Sequence, residues 1–193
     1  MATTHSTGAR NAATDAVTAR LGSGAKLKFR ISPSSVGAPG TAAASLDLSN
    51  TPFGAASGGT ATANAITSDT NATGNASPVA YATLETSGGA VEIHCEVAAQ
   101  VQTSVTGSSG AATVTVGSNS GLAVGMTASG TGIATGAKIV NINGTTVTLS
   151  INNTGAVSGT GTFNSDMTMS NGLTIAAGDT VSCSSLTYTA LGA

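Results

Sequence analysis

The sequence predicts an all-β protein, an antiparallel sandwich or barrel with one short N-terminal helix and a small inserted β-domain. Short segments with alternating apolar residues recur along the chain and are separated by glycine, serine, proline and asparagine, which is typical of strands and turns. Charged residues make up 7% of the 193 residues, against about 25% in average soluble domains. With 40% apolar residues and a formal net charge of -2, the composition differs from that of disordered proteins, so we expect the chain to fold.

The apolar residues are mostly alanine and valine, since aromatic residues make up 3% of the chain and tryptophan is absent. Small side chains bury little area each, so we expect a thin core. A thin core beneath a nearly uncharged surface favours association with neighbours, and we therefore expect a subunit of an assembly.

The predicted helix spans residues 6–22, STGARNAATDAVTARLG. Ser6 or Thr7 can cap its N-terminus, and Gly22 can end it. Because its apolar face is mostly alanine, the helix is too weak to persist alone in water and must dock on the rest of the protein. The residues predicted to form this docking face are Ala9, Ala13, Ala16, Val17 and Leu21.

The first strand is predicted at residues 26–31, KLKFRI, where the apolar period changes to two. Its apolar residues share one face, and Lys26, Lys28 and Arg30 share the other. Residues 32–40 form a loop by their proline, glycine and serine content. Further strands are predicted at residues 44–49, 61–67, 79–85, 90–98, 167–170, 173–185 and 186–190, with residues 86–89 as a hairpin turn.

The composition changes between residues 101 and 164, where Lys138 is the only charged residue. Strands are predicted here at residues 111–116, 137–142 and 145–151, and Asn143-Gly144 between the last two is a strong hairpin signal. We therefore predict a β-sandwich core from residues 1–100 and 165–193, carrying residues 101–164 as an inserted module.

Glu92, His94 and Glu96 share one face of the predicted strand 90–98, because residues two apart point the same way. Such residues lie about 7 Å apart, which is awkward for a single ion, so no metal site is predicted. The basic face of residues 26–31 has the same period. If the two strands are neighbours they form cross-strand ion pairs; otherwise the basic face is solvated or meets an acidic partner.

The glycines at Gly130, Gly132 and Gly136 lack the spacing of a dinucleotide fingerprint, and strand sequence follows them where a helix would be needed. A phosphate loop needs serine or threonine after its lysine, whereas Ile139 follows Lys138. We therefore expect no nucleotide and no other cofactor, and assign these glycines to turns.

Several functional classes are not expected from this sequence. The chain has no G-x-S-x-G motif and no paired acids flanking a cleft, so no catalytic residue is assigned and an enzyme is not predicted. Three neighbouring cations without interleaved aromatic residues predict no nucleic-acid site. The sequence has no run of about 18 apolar residues, so no membrane span is predicted. Residues 1–17 do not resemble a secretory signal, so we expect synthesis in the cytoplasm.

The two cysteines, Cys95 and Cys183, are too few for a disulfide scaffold or a four-thiolate zinc site. Both lie in predicted strands beside alternating apolar residues. Buried free thiols are the first interpretation, and a cross-strand disulfide formed outside the cell is the second.

Outside residues 101–164, the chain contains GARNAATDAVTARLGSGAKLKFRIS, NTPFG followed by ANAI, ATLETSGGAVEIHCEVA, and IAAGDTVSCSSLT. This pattern resembles a family of small virion proteins of tailed bacteriophages. The shared features are an N-terminal helix, a basic first strand and a closing pair of strands. The chain departs from the family pattern at FRISPSSVGAPG, which bears on any partner contact of that loop, and at Cys183, where valine is more usual.

The resemblance implies a jelly-roll-like β-sandwich that decorates or cements the phage head. It implies the major capsid protein as partner, the capsid exterior as location and, by analogy, a homotrimer. Lys26, Lys28 and Arg30 on the first strand, with Val17 and Leu21 on the helix, are the candidate interface residues.

Residues 101–164 separately resemble a module of phage and bacterial surface proteins, through VGMTASGTGI and INGTTVTLS. The role of that module is mostly structural or adhesive. The alternative function is therefore a tail-associated or host-surface adhesion protein, in which residues 101–164 bind a glycan.

Overall fold

The structure is a computed structural model that describes residues 4–165, 167–169 and 172–190. It is mostly β with one short helix, which confirms the predicted all-β fold with an N-terminal helix. Ser170 at the end of the predicted strand 167–170 lies outside the described residues. The elements are α1 (Thr7–Ala19), β1 (Lys26–Ile31), β2 (Ala42–Leu48), β3 (Thr60–Thr62), β4 (Ile66–Thr67), β5 (Val79–Glu85), β6 (Val91–Ala99), β7 (Val101–Thr106), β8 (Thr113–Val116), β9 (Thr127–Ser129), β10 (Ile139–Asn143), β11 (Thr146–Leu149), β12 (Thr160–Asn164), β13 (Met167–Met169) and β14 (Thr187–Thr189).

The chain divides into two compact units. The first comprises residues 1–95 and 174–193, and the second comprises residues 96–173. The module predicted at residues 101–164 falls within the second unit. The first unit is thus made from two separate stretches of the chain.

The sheet of the first unit has β1 at its centre, with β5 and then β6 on one side and β2 and then β4 on the other. β1 is antiparallel to both of its neighbours. Leu27 on β1 is paired with Leu84 on β5 and with Leu46 on β2, and all three side chains are buried. The alternation therefore turns Leu27 and Phe29 to the core, whereas Arg30 is buried as well and Ile31 is half-buried.

Helix α1 begins where the sequence predicts. Ser6 is the N-cap, and its hydroxyl oxygen accepts a hydrogen bond from the N–H of Ala9 at 3.2 Å. The helix ends at Ala19, and Gly22 follows with a φ of 65°. In the described ranges, no helix is long and apolar enough to cross a membrane.

The docking face predicted for α1 is confirmed at Leu21, which is buried just after the helix, and is wrong along the helix itself. Ala9 and Ala16 are exposed, whereas Thr14 and Thr18 are buried. The reason lies in what the helix contacts: the Thr14 hydroxyl donates to the carbonyl of Gly59 at 2.7 Å and accepts from the N–H of Ala190 at 3.1 Å. Backbone N–H and C=O groups that are buried beneath a helix need hydrogen-bond partners, so polar side chains of the helix face them.

Two further side chains extend this polar contact. Asn11 accepts a hydrogen bond from the N–H of Gly59 at 2.7 Å, so both backbone groups of Gly59 are bonded to the helix. Asp15 accepts one from the N–H of Ala56 through its Oδ1 at 2.7 Å. The helix is therefore held to the segment before β3 by hydrogen bonds rather than by an alanine face.

The second unit is built on a sheet with the order β10, β11, β8, β7, β12, β9, in which all neighbours are antiparallel. Its two end strands also meet. Thr127 forms a bridge with Lys138, and the N–H of Ala128 donates to the carbonyl of Ala137 at 2.8 Å. The sheet thus closes on itself, which gives its end strands partners.

The closed sheet encloses an apolar core. The predicted hairpin is confirmed: β10 and β11 pair, and Gly144 in the turn between them has a φ of 58°. The buried residues are Val105, Val114, Val116, Met126, Ala128, Ile133, Ala134, Ala137, Ile139, Val147, Leu149, Val157 and Phe163.

The strand predicted at residues 173–185 is wrong. Ile175 and Val181 form isolated bridges there, and the carboxylate of Asp179 accepts a hydrogen bond from the N–H of Ala176 at 2.7 Å. This turn, with Gly178 at a φ of 85°, interrupts the extended chain. Further along, β14 forms as predicted and is antiparallel to β3.

Candidate functional site

The predicted basic face lies on β1, and carboxylates of the two adjacent strands neutralise it. Lys26 forms an ion pair with Asp47 on β2, and both Lys28 and Arg30 form ion pairs with Glu85 on β5. The condition set for ion pairs with the strand at residues 90–98 is not met, because β2 and β5 flank β1 and supply the carboxylates.

Arg30 and Glu85 form a buried charged cluster. Arg30 is 5% exposed and Glu85 is 1% exposed. The Nε of Arg30 donates to the Thr83 hydroxyl at 2.9 Å and to Oε1 of Glu85 at 3.0 Å, and its Nη1 donates to the Gly40 carbonyl at 2.6 Å. Lys28 Nζ lies 2.9 Å from Oε2 of Glu85. The cluster thus fixes the end of the loop at residues 32–40 to the sheet.

These contacts change the acidity of Glu85. Burial alone raises the pKa of the Glu85 carboxyl, but hydrogen bonds from Thr83, Lys28 and Arg30 and the charge of Arg30 lower it, and together they outweigh burial. The net pKa lies below its ordinary value, so the cluster favours the ionised carboxylate.

The acidic face of β6 has other partners than those predicted. Arg20, just after α1, donates to both carboxylate oxygens of Glu92 at 2.6 and 3.1 Å. The Nε2 of His94 lies 3.0 Å from the Ser34 hydroxyl, and its ring centroid is 4.8 Å from that of Tyr81. Within the described part of the chain, no three of its His, Cys, Asp and Glu residues are placed to hold a metal ion.

The structure separates the five candidate interface residues. Arg30 and Leu21 are buried within the chain, so they are not available to a partner, and this part of the prediction is corrected. Lys26 and Lys28 keep 39% and 23% of their side-chain surfaces exposed, and Val17 is half-buried. The remaining candidate surface is therefore small and already paired with carboxylates.

A cavity of about 340 Å³ lies beside the C-terminal half of α1, and we call it the α1 pocket. Asp15 is the one ionisable residue among those that line it. Its lining residues are Asp15, Thr18, Ala19, Gly22, Asn50, Thr51, Pro52, Phe53, Gly54 and Ala55. Sequence reasoning missed it, although Asn11, Thr14, Asp15 and Thr18 repeat at helical spacing and mark a polar face.

The second unit exposes apolar side chains next to its closure. Val124 is 63% exposed, Val140 is 49% exposed, and Lys138 is also exposed. The N–H of Gly125 donates to the carbonyl of Ile139 at 2.8 Å, so the two valines flank a paired position. We call residues 124–127 and 138–140 the seam.

Gly132 and Gly136 allow backbone conformations of the second unit that other residues rarely adopt. Gly132 has a φ of 80°, and a Cβ there would lie 2.5 Å from the carbonyl oxygen of Ala156. Gly136 has a φ of 78°, with open space where a Cβ would be. Their role in turns agrees with the sequence interpretation.

Both cysteines are half-buried rather than fully buried, which corrects the predicted burial. The Cys95 thiol donates to the Ala82 carbonyl at 3.6 Å, and the Cys183 thiol donates to the Ser185 carbonyl at 3.3 Å. Burial raises the pKa of the Cys183 thiol, against a smaller lowering by its backbone hydrogen bond. The raised pKa reduces the thiolate fraction and hence reactivity at neutral pH.

Comparison with known proteins gives no relative: no family model matches the chain, and no curated protein or solved structure matches it significantly.

Proposed function

We propose that this chain is a non-enzymatic structural protein of a bacteriophage virion, a decoration or cement protein that binds the major capsid protein lattice from outside. The observation that carries the proposal is how the chain distributes its charge. Arg20, Lys26, Lys28 and Arg30 are all paired with carboxylates of the same chain, which leaves surfaces of small neutral side chains. Such surfaces suit contacts with neighbouring subunits.

The resemblance of residues 1–100 and 165–193 to small virion proteins supports the same assignment. A ligand that binds only the assembled lattice stabilises that lattice by mass action, which is the physical basis of cementing. Fixed loops favour such binding, because less conformational entropy is lost on association. The attachment of the loop 32–40 to Arg30 through Gly40 is consistent with this requirement.

The test uses phage particles that lack the protein and the purified protein added back to them. We expect saturable binding to the capsid. We also expect the capsid to rupture at a higher temperature, as measured by the release of packaged DNA. Isolated major capsid protein serves as the control and should bind far less, since the proposal requires the assembled lattice. Particles that gain no protein, or gain it without any change in rupture temperature, would contradict the proposal.

The alternative is a tail-associated or host-surface adhesion protein. It is favoured by the exposed Val124, Val140 and Ile151, which give the second unit an apolar surface among neutral polar residues. Binding of the purified protein to an array of host-surface glycans tests this alternative. Glycan binding that is lost when Val124 and Val140 are changed to serine would favour adhesion over cementing.

A further inference from the structure

The α1 pocket carries a negative charge that no cation of its own lining neutralises. Oδ1 of Asp15 accepts the hydrogen bond from Ala56, while Oδ2 receives none from any residue that the structure describes. No other ionisable residue lines the pocket. One carboxylate oxygen is therefore left for a ligand.

The end of the helix adds to this negative potential. Thr18, Ala19 and Gly22 line the pocket, so it lies at the C-terminus of α1, where the helix dipole is negative. The last turn of α1 contains no basic residue. Arg20, which follows it, has its guanidinium bonded to both carboxylate oxygens of Glu92. The pocket therefore favours a cationic ligand.

The walls of the pocket define the rest of that ligand. Pro52 and Phe53 are buried, and Ala19 and Ala55 complete an apolar lining. A cavity volume of about 340 Å³ is at the lower end of the range for small-ligand sites. An alkyl chain that ends in an ammonium group, as in a lysine side chain, matches both the apolar wall and the charge.

The described part of the chain supplies such a lysine. Lys138 is exposed, and no carboxylate of the described residues lies within ion-pair distance of it. Arg10, the other cation without an ion pair there, is half-buried and packs over Gly59, so it is less accessible. Val140, two residues further along the seam, is exposed as well.

We propose that Lys138 of one copy of this chain inserts into the α1 pocket of a second copy, where its ammonium group meets Oδ2 of Asp15. The seam valines, Val124 and Val140, cover the rim of the pocket. The contact joins two different surfaces, so it is heterologous, and copies add head to tail into a ring or an open chain. This inference stands independently of the proposed virion function.

The strength of the contact follows from its parts. An ion pair open to solvent contributes little by itself, and salt screens it. We therefore expect weak self-association that is visible at high protein concentration and low ionic strength. In a larger assembly the same contact is strengthened, because tethering raises the effective concentration of the two partners.

Sedimentation velocity of the full chain and of two single variants tests the proposal. Asp15→Asn removes the charge but keeps an acceptor for the Ala56 N–H, and Lys138→Gln changes an exposed side chain. We expect wild type to associate and each single variant to remain monomeric under the same conditions. Thermal melting of each variant establishes that it is folded.

Asp47→Asn and Lys26→Gln are the matched controls, since they remove the same charges from an exposed pair elsewhere and should leave association unchanged.

A mixture of the two single variants tests the heterologous contact most directly. The Asp15→Asn copy keeps its lysine and the Lys138→Gln copy keeps its pocket, so a heterologous contact predicts one-to-one pairs that grow no further. n-Butylammonium should compete with wild-type association, and n-butanol should not. The proposal is overturned if wild type is monomeric throughout, if either single variant associates as wild type does, or if the mixture forms no pairs. It is also overturned if n-butylammonium has no effect.

Discussion

Glu85 accepts hydrogen bonds from Thr83 and Arg30 and forms an ion pair with Lys28. One buried carboxylate thus pairs with two of the few cations of the chain. The alternation of Lys26, Lys28 and Arg30 is enough to predict a shared basic face. It does not predict the partner, since strand order depends on contacts far apart in sequence. Nor does it predict that Arg30 is buried, because burial of a charge depends on where a carboxylate of another strand lies.

Changing Glu85 to Gln should destabilise the first unit. Arg30 would remain buried without its counter-charge, and the loss of one partner of a buried pair typically costs about 3 to 5 kcal/mol. Urea unfolding measures the change. Asp47→Asn is the control, since it breaks an exposed pair worth about 0 to 1 kcal/mol. Equal effects of the two substitutions would show that the buried cluster contributes nothing special.

The lowered pKa of Glu85 also predicts a dependence of stability on pH. A carboxyl whose folded-state pKa lies below its unfolded value stabilises the fold fully above that unfolded value, about 4.3 for glutamate, and this contribution is lost as the pH falls through the folded pKa. The stability gap between wild type and Glu85→Gln should therefore be constant near neutral pH and shrink in acid. Urea unfolding of both proteins at several pH values checks this, and a gap that widens in acid would contradict the assigned direction.

At the level of elements, α1 shows both what local sequence specifies and what it does not. The capping serine and the helical period were sufficient to place the helix and its first turn. The docking face was not predictable from apolar periodicity, because α1 contacts backbone amides of the segment at residues 56–60, and hydrogen bonds dominate that contact. A polar stripe at helical spacing was the available signal.

Thr14→Val tests this polar docking with little change in side-chain shape. It leaves the carbonyl of Gly59 and the N–H of Ala190 without their partner, so we expect a loss of about 1 to 3 kcal/mol. Thr18→Val is a matched control one turn along, because the Thr18 hydroxyl bonds only within the helix, to the Asp15 carbonyl. Because one hydrogen bond within the helix is lost and no partner on another segment is orphaned, we expect a smaller loss than for Thr14→Val, about 0.5 to 1.5 kcal/mol. Chemical denaturation compares the two, and an equal or larger loss for Thr18→Val would contradict the docking described.

Gly132 and Gly136 provide a second matched pair, on one loop of the second unit. Both have positive φ, so alanine at either position costs about 1 to 2 kcal/mol in backbone strain. At Gly132 the added Cβ would also collide with the Ala156 backbone, and we expect a further loss of about 1 to 3 kcal/mol. Unfolding followed by amide signals of the second unit measures both, and similar losses would show that this close approach is unimportant.

At the scale of the whole molecule, the chain forms two compact β units, and Arg20, Lys26, Lys28 and Arg30 are paired with its own carboxylates. The hairpin at Asn143-Gly144 follows from local turn chemistry and was predictable. The closure of the second sheet, where Thr127 meets Lys138, was not predictable from the sequence. The seam has no turn motif to mark it, and the closure depends on the register of all six strands. The α1 pocket likewise needs α1 and residues 50–55 brought together by folding.

We propose that this molecule binds neighbours in a repeated shell and does not transform a ligand. Electron cryo-microscopy of intact particles, compared with particles that lack the protein, tests that claim most directly. We expect density for the protein at every equivalent position on the outer surface of the capsid lattice, absent from the particles without it. Density confined to the tail, or no difference between the two capsids, would contradict the account.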